Sequence, residues 1–250
     1  MNHVKQIIKD GQTAIGATAS QASATGFLAG AGFDFLLFDT QHSPVEIKQL
    51  ARAVGGMRGR NASPIVRVGE NVADQICYAL DIGARGIVVP MVNTPEEAAA
   101  MVSYCKYPFD GVRSSAGMRG EWGEFKDYRS YMDTVNDELL IAPMIETMLA
   151  MENLEAIVNT PGVDVLLVGP SDLSINLGVP LDYTSSTYRE ALERIGGACQ
   201  DAGIAGGMFF VPPGITPADL QNMGFRFFTL PWEGWAAGGI ADGIAAVRNG

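Results

Sequence analysis

The 250-residue sequence predicts an α/β fold, a closed (β/α)8 TIM barrel with eight parallel strands, and two observations carry that reading. Apolar runs of strand length recur along the chain, separated by segments with helical spacing and helix-start signals. The runs are continuously apolar rather than alternating, as strands covered by helices on a parallel sheet require. Eight such runs in 250 residues fit a closed barrel better than an open doubly wound sheet, which remains the lesser alternative.

In chain order the expected strands are Thr13–Thr18, Phe35–Asp39, Pro64–Val68, Gly86–Pro90, Leu139–Glu146, Val163–Gly169, Ile204–Phe210 and Phe225–Leu230. The stretches Ser43-Pro44-Val45-Glu46 and Thr94-Pro95-Glu96-Glu97 read as capping boxes with proline at the first helical position, and Thr216-Pro217 repeats the cap and the proline. The connection from Gly111 to Gly123 is long, glycine-rich and carries Arg113 and Arg119, so it is expected to cover part of the barrel mouth. No linker-like stretch divides the chain, and residues 1–250 are read as a single barrel domain.

Composition narrows the partners. A net charge of −11 with no Lys/Arg cluster argues against nucleic acid and against an anionic membrane surface. The N-terminus has no apolar signal region and no run reaches the length of a membrane span, so a cytoplasmic protein is expected. Cys77, Cys105 and Cys199 are odd in number and far apart, which fits core thiols rather than disulfides or a thiolate zinc site. Neither GxGxxG after the first strand nor a phosphate-binding Walker loop is present.

In such barrels the reacting groups sit where strands end, because the βα loops converge on that face. Strand two ends at Asp39, with His42, one of two histidines, in its loop; strand three carries Arg67; strand five ends on Glu146; strand six leads to Asp172. Each has a structural alternative: loop-amide acceptor for Asp39, ion-pair partner for Arg67, solvent contact for Glu146, helix cap for Asp172. All four alternatives would have to hold together for one face to be inert. Asp81 lies near a helix end, where the dipole disfavours an acid, so a specific partner is expected, with a histidine as candidate.

Glu146 and Asp172 together match the oxygen-donor preference of Mg²⁺ or Mn²⁺. The Gly169-Pro170-Ser171 turn offers backbone N–H groups to an anion, Arg67 a fixed cation for developing negative charge, and His42 a proton shuttle. That combination suits enolate chemistry on a 2-oxo acid. A lysine Schiff base is disfavoured, since Lys5, Lys9, Lys48, Lys106 and Lys126 all fall outside strands and strand ends.

The motifs Asp39-x-x-His42, Pro64-Ile65-Val66-Arg67, Leu80-Asp81-Ile82-Gly83-Ala84, Val89-Pro90-Met91-Val92, Ile145-Glu146-Thr147 and Val168-Gly169-Pro170-Ser171-Asp172-Leu173-Ser174 resemble those of the HpcH/HpaI family of metal-dependent, class II pyruvate aldolases. The resemblance covers most of the chain and weakens after about Phe210. It implies a divalent ion (Mg²⁺, Mn²⁺ or Co²⁺) held by Glu146 and Asp172, and a substrate carboxylate held by the Gly169, Pro170, Ser171 and Asp172 backbone. It also implies His42 as proton acceptor supported by Asp81 and Asp39, and Arg67 as the enolate-stabilising cation. The implied reaction cleaves a 4-hydroxy-2-oxo acid to pyruvate and an aldehyde. The implied assembly is a homohexamer, a trimer of dimers, with the C-terminal helix at a subunit interface.

Three positions depart from the family pattern. Met144 stands where a glutamine is usual, Gln41 where a glutamate is frequent, and the Phe225–Trp235 segment is unusually aromatic, which reads as core or interface packing more than as an acceptor pocket. Other readings stay open: 2-oxo acid decarboxylation, a citrate-lyase-like or synthase reaction, or a metal- and ligand-binding barrel without turnover.

Overall fold

The computed structural model describes residues 2–20, 22–43, 45–118 and 122–249. Among these residues the strands are β1 Ala14–Ala19, β2 Phe35–Asp39, β3 Ser63–Arg67, β4 Gly86–Val89, β5 Leu140–Ile145, β6 Val165–Val168, β7 Ala205–Met208 and β8 Phe225–Leu230. The helices are α1 His3–Lys9, α2 Thr25–Leu28, α3 Ile47–Gly55, α4 Ala73–Asp81, α5 Pro95–Cys105, α6 Tyr128–Glu138, α7 Met148–Glu152, α8 Leu154–Val158, α9 Pro170–Asn176, α10 Ser186–Ala202, α11 Pro217–Asn222 and α12 Glu233–Asn249. Each strand pairs in parallel with the next, and β8 closes onto β1. The (β/α)8 barrel expected from the apolar runs is the fold observed, with strand limits shifted by at most two residues from those read in the sequence.

Why the runs are unbroken is visible in β2. Phe35 and Leu37 point into the barrel interior with Ile65, Val88, Leu140, Val165 and Phe227. Leu36 and Phe38 point outward into the helix-covered core. Both faces are dry, so neither parity of the strand tolerates a polar residue until the sheet ends. Inside the barrel Phe35 stacks on Phe227 at 4.2 Å between ring centroids. That stack needs Gly16 in the neighbouring strand, because a Cβ there would stand 2.2 Å from the Phe35 ring.

Helix α1 closes the end of the barrel at which strands begin. Val4 is fully buried in the interior cluster. Asn2 donates to the carbonyls of Arg85 (2.8 Å) and Glu138 (2.9 Å), and Lys5 pairs with Asp164 at 2.9 Å.

The caps at Thr94 and Thr216 form as expected, each with its reciprocal acid. The expected box at Ser43–Glu46 does not start α3. Glu46 is extended and caps with its backbone alone, and the helix begins at Ile47, where the apolar spacing Leu50, Ala53, Val54 takes over; Pro44 lies outside the described residues.

The long connection also differs from expectation. Helix α5 runs back from the strand-end face, so the chain leaves Cys105 at the opposite end of the barrel. There Arg113 pairs with Asp81 at 3.1 Å, and the Trp122 ring lies 4.9 Å from the Arg85 guanidinium. The described part of this loop therefore packs at the strand-start end and does not cover its own mouth; Arg119, Gly120 and Glu121 lie outside the described residues.

The aromatic C-terminal segment is packing material. Phe225 and Phe228 join the outer core, Phe227 the interior, and Trp232 donates to the Thr18 carbonyl at 3.0 Å. Helix α12 beyond it has no buried residue.

Candidate active site

Register places Asp39 beside Arg67 at the ends of β2 and β3. Arg67 Nε donates to Asp39 Oδ1 at 2.8 Å and Nη2 to Oδ2 at 2.7 Å, a bidentate fork. The guanidinium lies over the Phe209 ring at 4.0 Å, and Nη1 makes a weak contact of 3.7 Å with Met144 Sδ. Arg67 is only 5% exposed and is held from three sides. Burial alone would raise the Asp39 carboxyl, but the Arg67 bonds and charge, the Gln41 N–H and the nearby His42 outweigh it and hold the group below its ordinary value.

Glu146, directly after β5, is in the opposite situation. It is 2% exposed and among the described residues forms no ion pair comparable to that of Asp39; its Oε1 accepts from the Met91 backbone N–H at 2.7 Å. Burial pushes its carboxyl up, the like charge of Asp172 adds to this, and Met91, Arg67 and His42 offset it only in part. Two backbone features accommodate this carboxylate. Met91 adopts φ 55°, a left-handed conformation that costs a non-glycine residue energy and aims its N–H at Glu146. At Gly169 any Cβ would stand 2.1 Å from Glu146 Oε2, so only glycine lets the β6 end approach.

Asp172 is the third residue of α9 and is exposed, with Gly169 as N-cap and Pro170 first in the helix. His42 is exposed in the turn after β2 and lies close enough to influence both Asp39 and Glu146. Of the residues singled out in the sequence, the structure thus gathers Asp39, His42, Arg67, Glu146, Gly169, Pro170, Ser171 and Asp172 on the strand-end face.

Asp81 is not among them. It is the last residue of α4, which descends to the strand-start end, and its described partners are Arg113 at 3.1 Å and the Cys77 thiol at 3.9 Å. The expected support of His42 by Asp81 is therefore not formed within one chain. The acid at the helix end is accommodated by an arginine instead.

Sequence reasoning missed Phe209, the backbone N–H that Met91 contributes, and Asn93, whose side chain donates to the Met91 carbonyl at 2.8 Å. Phe209 directly follows β7, so the strand-end rule reaches it, but an aromatic carries no ionisable signal. Nothing in a methionine announces a positive φ. Among the described residues no group of three or more His, Cys, Asp and Glu side chains is arranged to hold a metal ion. A cavity of about 870 Å³ bordered by His3, Arg58, Arg60 and Arg85 opens at the strand-start end, away from the paired carboxylates, so volume does not mark the chemistry here.

The profile of the HpcH/HpaI aldolase/citrate lyase family matches residues 15–222. The chain is 32% identical to the hydroxypyruvate/pyruvate aldolase of Roseovarius nubinhibens over 248 residues, covering 98% of this chain and 91% of that protein. It is 34% identical to the 2-keto-3-deoxy-L-rhamnonate aldolase of Klebsiella pneumoniae, covering 97% of this chain and 87% of that one. The crystal structure of an HpcH/HpaI aldolase/citrate lyase family protein from Burkholderia cenocepacia superposes with a TM-score of 0.85 at 31% identity, covering 99% of this chain and 100% of that one. With the family profile over residues 15–222, similarity along nearly the whole length and the barrel fold in agreement, the chain belongs to the HpcH/HpaI aldolase/citrate lyase family.

Proposed function

We propose that the protein is a divalent-metal-dependent aldolase that cleaves or forms 4-hydroxy-2-oxo acids, giving pyruvate and an aldehyde. The observation that carries this reading is the Glu146–Asp172 pair: one carboxylate is 2% exposed and pushed up by burial and by the other. A cation beside both would relieve the repulsion and the burial cost together. The donors are oxygens from neighbouring strand ends, which fits Mg²⁺, Mn²⁺ or Co²⁺. When bound, such an ion supplies Lewis-acid polarisation of the carbonyl and carboxylate oxygens of the 2-oxo acid.

The remaining work falls to this chain's residues. Asp39 locks Arg67 through the fork, and the Phe209 face fixes the guanidinium plane, so the N–H bonds left over meet negative charge developing on the enol oxygen without reorganising. The backbone amides of Ser171 and Asp172, in the first turn of α9, have no helical acceptor and are assigned to the substrate carboxylate. His42 takes the proton of the 4-hydroxyl; the C3–C4 bond breaks, the electron pair of that bond forms the enolate of pyruvate and the aldehyde leaves; the enolate then takes a proton at C3 from solvent while His42 gives up its own. Asp39 accepts from the Gln41 N–H and so also shapes the turn that carries His42.

The unburied α12, with Trp235, Ile240, Ile244 and Val247 exposed, supports a homo-oligomer in which this helix packs on another copy, a hexamer by resemblance. Residues 1–250 are taken as one domain. No described helix is long and apolar enough to cross a membrane, and the free Cys77, Cys105 and Cys199 fit a cytoplasmic protein.

The test is metal-stripped protein resupplied with Mg²⁺, Mn²⁺ or Co²⁺ and assayed for pyruvate release from a panel of 4-hydroxy-2-oxo acids, with oxaloacetate decarboxylation alongside. Metal-dependent pyruvate release is expected. Absence of metal-dependent turnover of every substrate would remove the proposal, and turnover of oxaloacetate alone would favour the decarboxylase reading.

A further inference from the structure

The geometry points to Asn93, a residue outside the family's recognition motifs, as the positioning residue that sets the Glu146 carboxylate for a divalent ion; this rests on the metal reading above. Asn93 lies in the loop between β4 and α5, and each of its polar groups is engaged. Its Nδ2 donates to the Met91 carbonyl at 2.8 Å, and its Oδ1 accepts from the Thr147 hydroxyl. Its backbone N–H donates to Glu97 Oε2 at 2.6 Å, and its carbonyl accepts from Asn153 Nδ2 at 2.9 Å.

Asn93 thus holds both the residue that donates to the Glu146 carboxylate, Met91, and the residue that follows Glu146 in the chain, Thr147. Met91, held at φ 55°, supplies the N–H that fixes Oε1, and Thr147 is the next residue along the chain after Glu146. One primary amide therefore braces both the carboxylate end and the backbone end of the same side chain. The donor side of the amide holds the strained Met91 peptide, and the acceptor side holds Thr147, which in turn caps α7 through the Ala150 N–H. Only a group with a donor and an acceptor at that reach serves both, and a carboxylate of the same shape would face the Met91 carbonyl with a second acceptor. Without the brace the left-handed Met91 conformation loses what compensates its cost, and the N–H swings away from Glu146.

The test uses purified, metal-stripped full-length protein and free Mn²⁺ measured by electron paramagnetic resonance. Asn93→Asp and Asn93→Ala are expected to weaken Mn²⁺ binding about 10- to 100-fold, the range for outer partners of a metal ligand, with far-UV circular dichroism unchanged. Thr147→Ser keeps the hydroxyl and is expected to bind as the wild type does. If Asn93→Ala does not fold, the shape-conserving Asn93→Asp and the Thr147→Ser control decide. Folded Asn93→Asp protein with wild-type Mn²⁺ affinity, while a separate Glu146→Gln variant loses binding, overturns this inference alone. Wild-type protein that binds no Mn²⁺ overturns both this inference and the metal reading.

Discussion

At the end of the barrel where strands begin, charges meet their opposites. Lys5 pairs with Asp164 at 2.9 Å and Asp81 pairs with Arg113 at 3.1 Å. At the end where strands finish, one pair obeys the same rule, Asp39 with Arg67, while Glu146 is buried beside a second carboxylate. The backbone tells the same story: Met91 is strained and Gly169 is pressed against a carboxylate at the second end. Matched charge belongs to stability, and the mismatched charge held in place by hydrogen bonds is what the proposed metal reading explains.

The comparison breaks most directly at the mismatched pair. Glu146→Ala and Asp172→Ala should each abolish metal-dependent turnover, measured as pyruvate release across a titration of Mg²⁺ and Mn²⁺, while leaving circular dichroism unchanged. Retained turnover in either variant would remove that residue from the metal site. Next in size is Arg67→Lys, which keeps the charge but loses the fork to Asp39 and the flat face on Phe209. It should lower kcat by about 10²- to 10³-fold, as loss of one aligned charge-stabilising group does, with Mn²⁺ affinity little changed. A lysine that restores full kcat would show that the cation needs no fixed orientation.

The residues that end a strand with an ionisable group were legible because the barrel's geometry converts sequence position into spatial position. Asp39, Arg67 and Glu146 each close a continuous apolar run, and the run itself exists because both faces of the strand are dry. What was not legible depends on the backbone or on the far end of a helix. Asp81 stands one helix away from β3 in sequence, and α4 carries it to the wrong end for His42. The same displacement by α5 takes the long connection away from the mouth it was expected to cover. Met91 contributes through its N–H at a positive φ, and Asn93 through contacts with its own loop and with both ends of α7, so neither leaves a local pattern to read. Met144, which stands where the family pattern has glutamine, places a weak sulfur acceptor against Arg67.

At the matched end the expected effects fall on folding and spare chemistry. Lys5→Met removes the cation beside Asp164, whose carboxyl is already pushed up by burial, and also the donor to the Asp137 and Leu139 carbonyls. Stranding a largely buried carboxylate should cost about 3 kcal/mol in denaturant unfolding. The kcat of the folded enzyme should be unchanged. A loss of kcat without a loss of stability would contradict the division of labour between the two ends.

The smallest and most discriminating effect is one of sign. Glu146 has a folded-state value raised above its ordinary one, chiefly by burial and also by Asp172. A raised group favours the folded state fully only below its unfolded value, and that contribution is lost as pH rises through the folded value. The metal-free wild type should therefore be less stable at neutral pH than Glu146→Gln, which keeps the acceptor for the Met91 N–H but carries no charge. The gap in Tm should open as pH climbs from below the ordinary glutamate value and level off once Glu146 is ionised in the folded protein. Saturating Mn²⁺ should reverse the order, because the ion binds only the wild-type carboxylate pair and stabilises that protein by mass action. A Glu146→Gln variant that is less stable than wild type without metal would mean that Glu146 is as well matched as Asp39, and that the two ends of the barrel do not differ in the way their charges indicate.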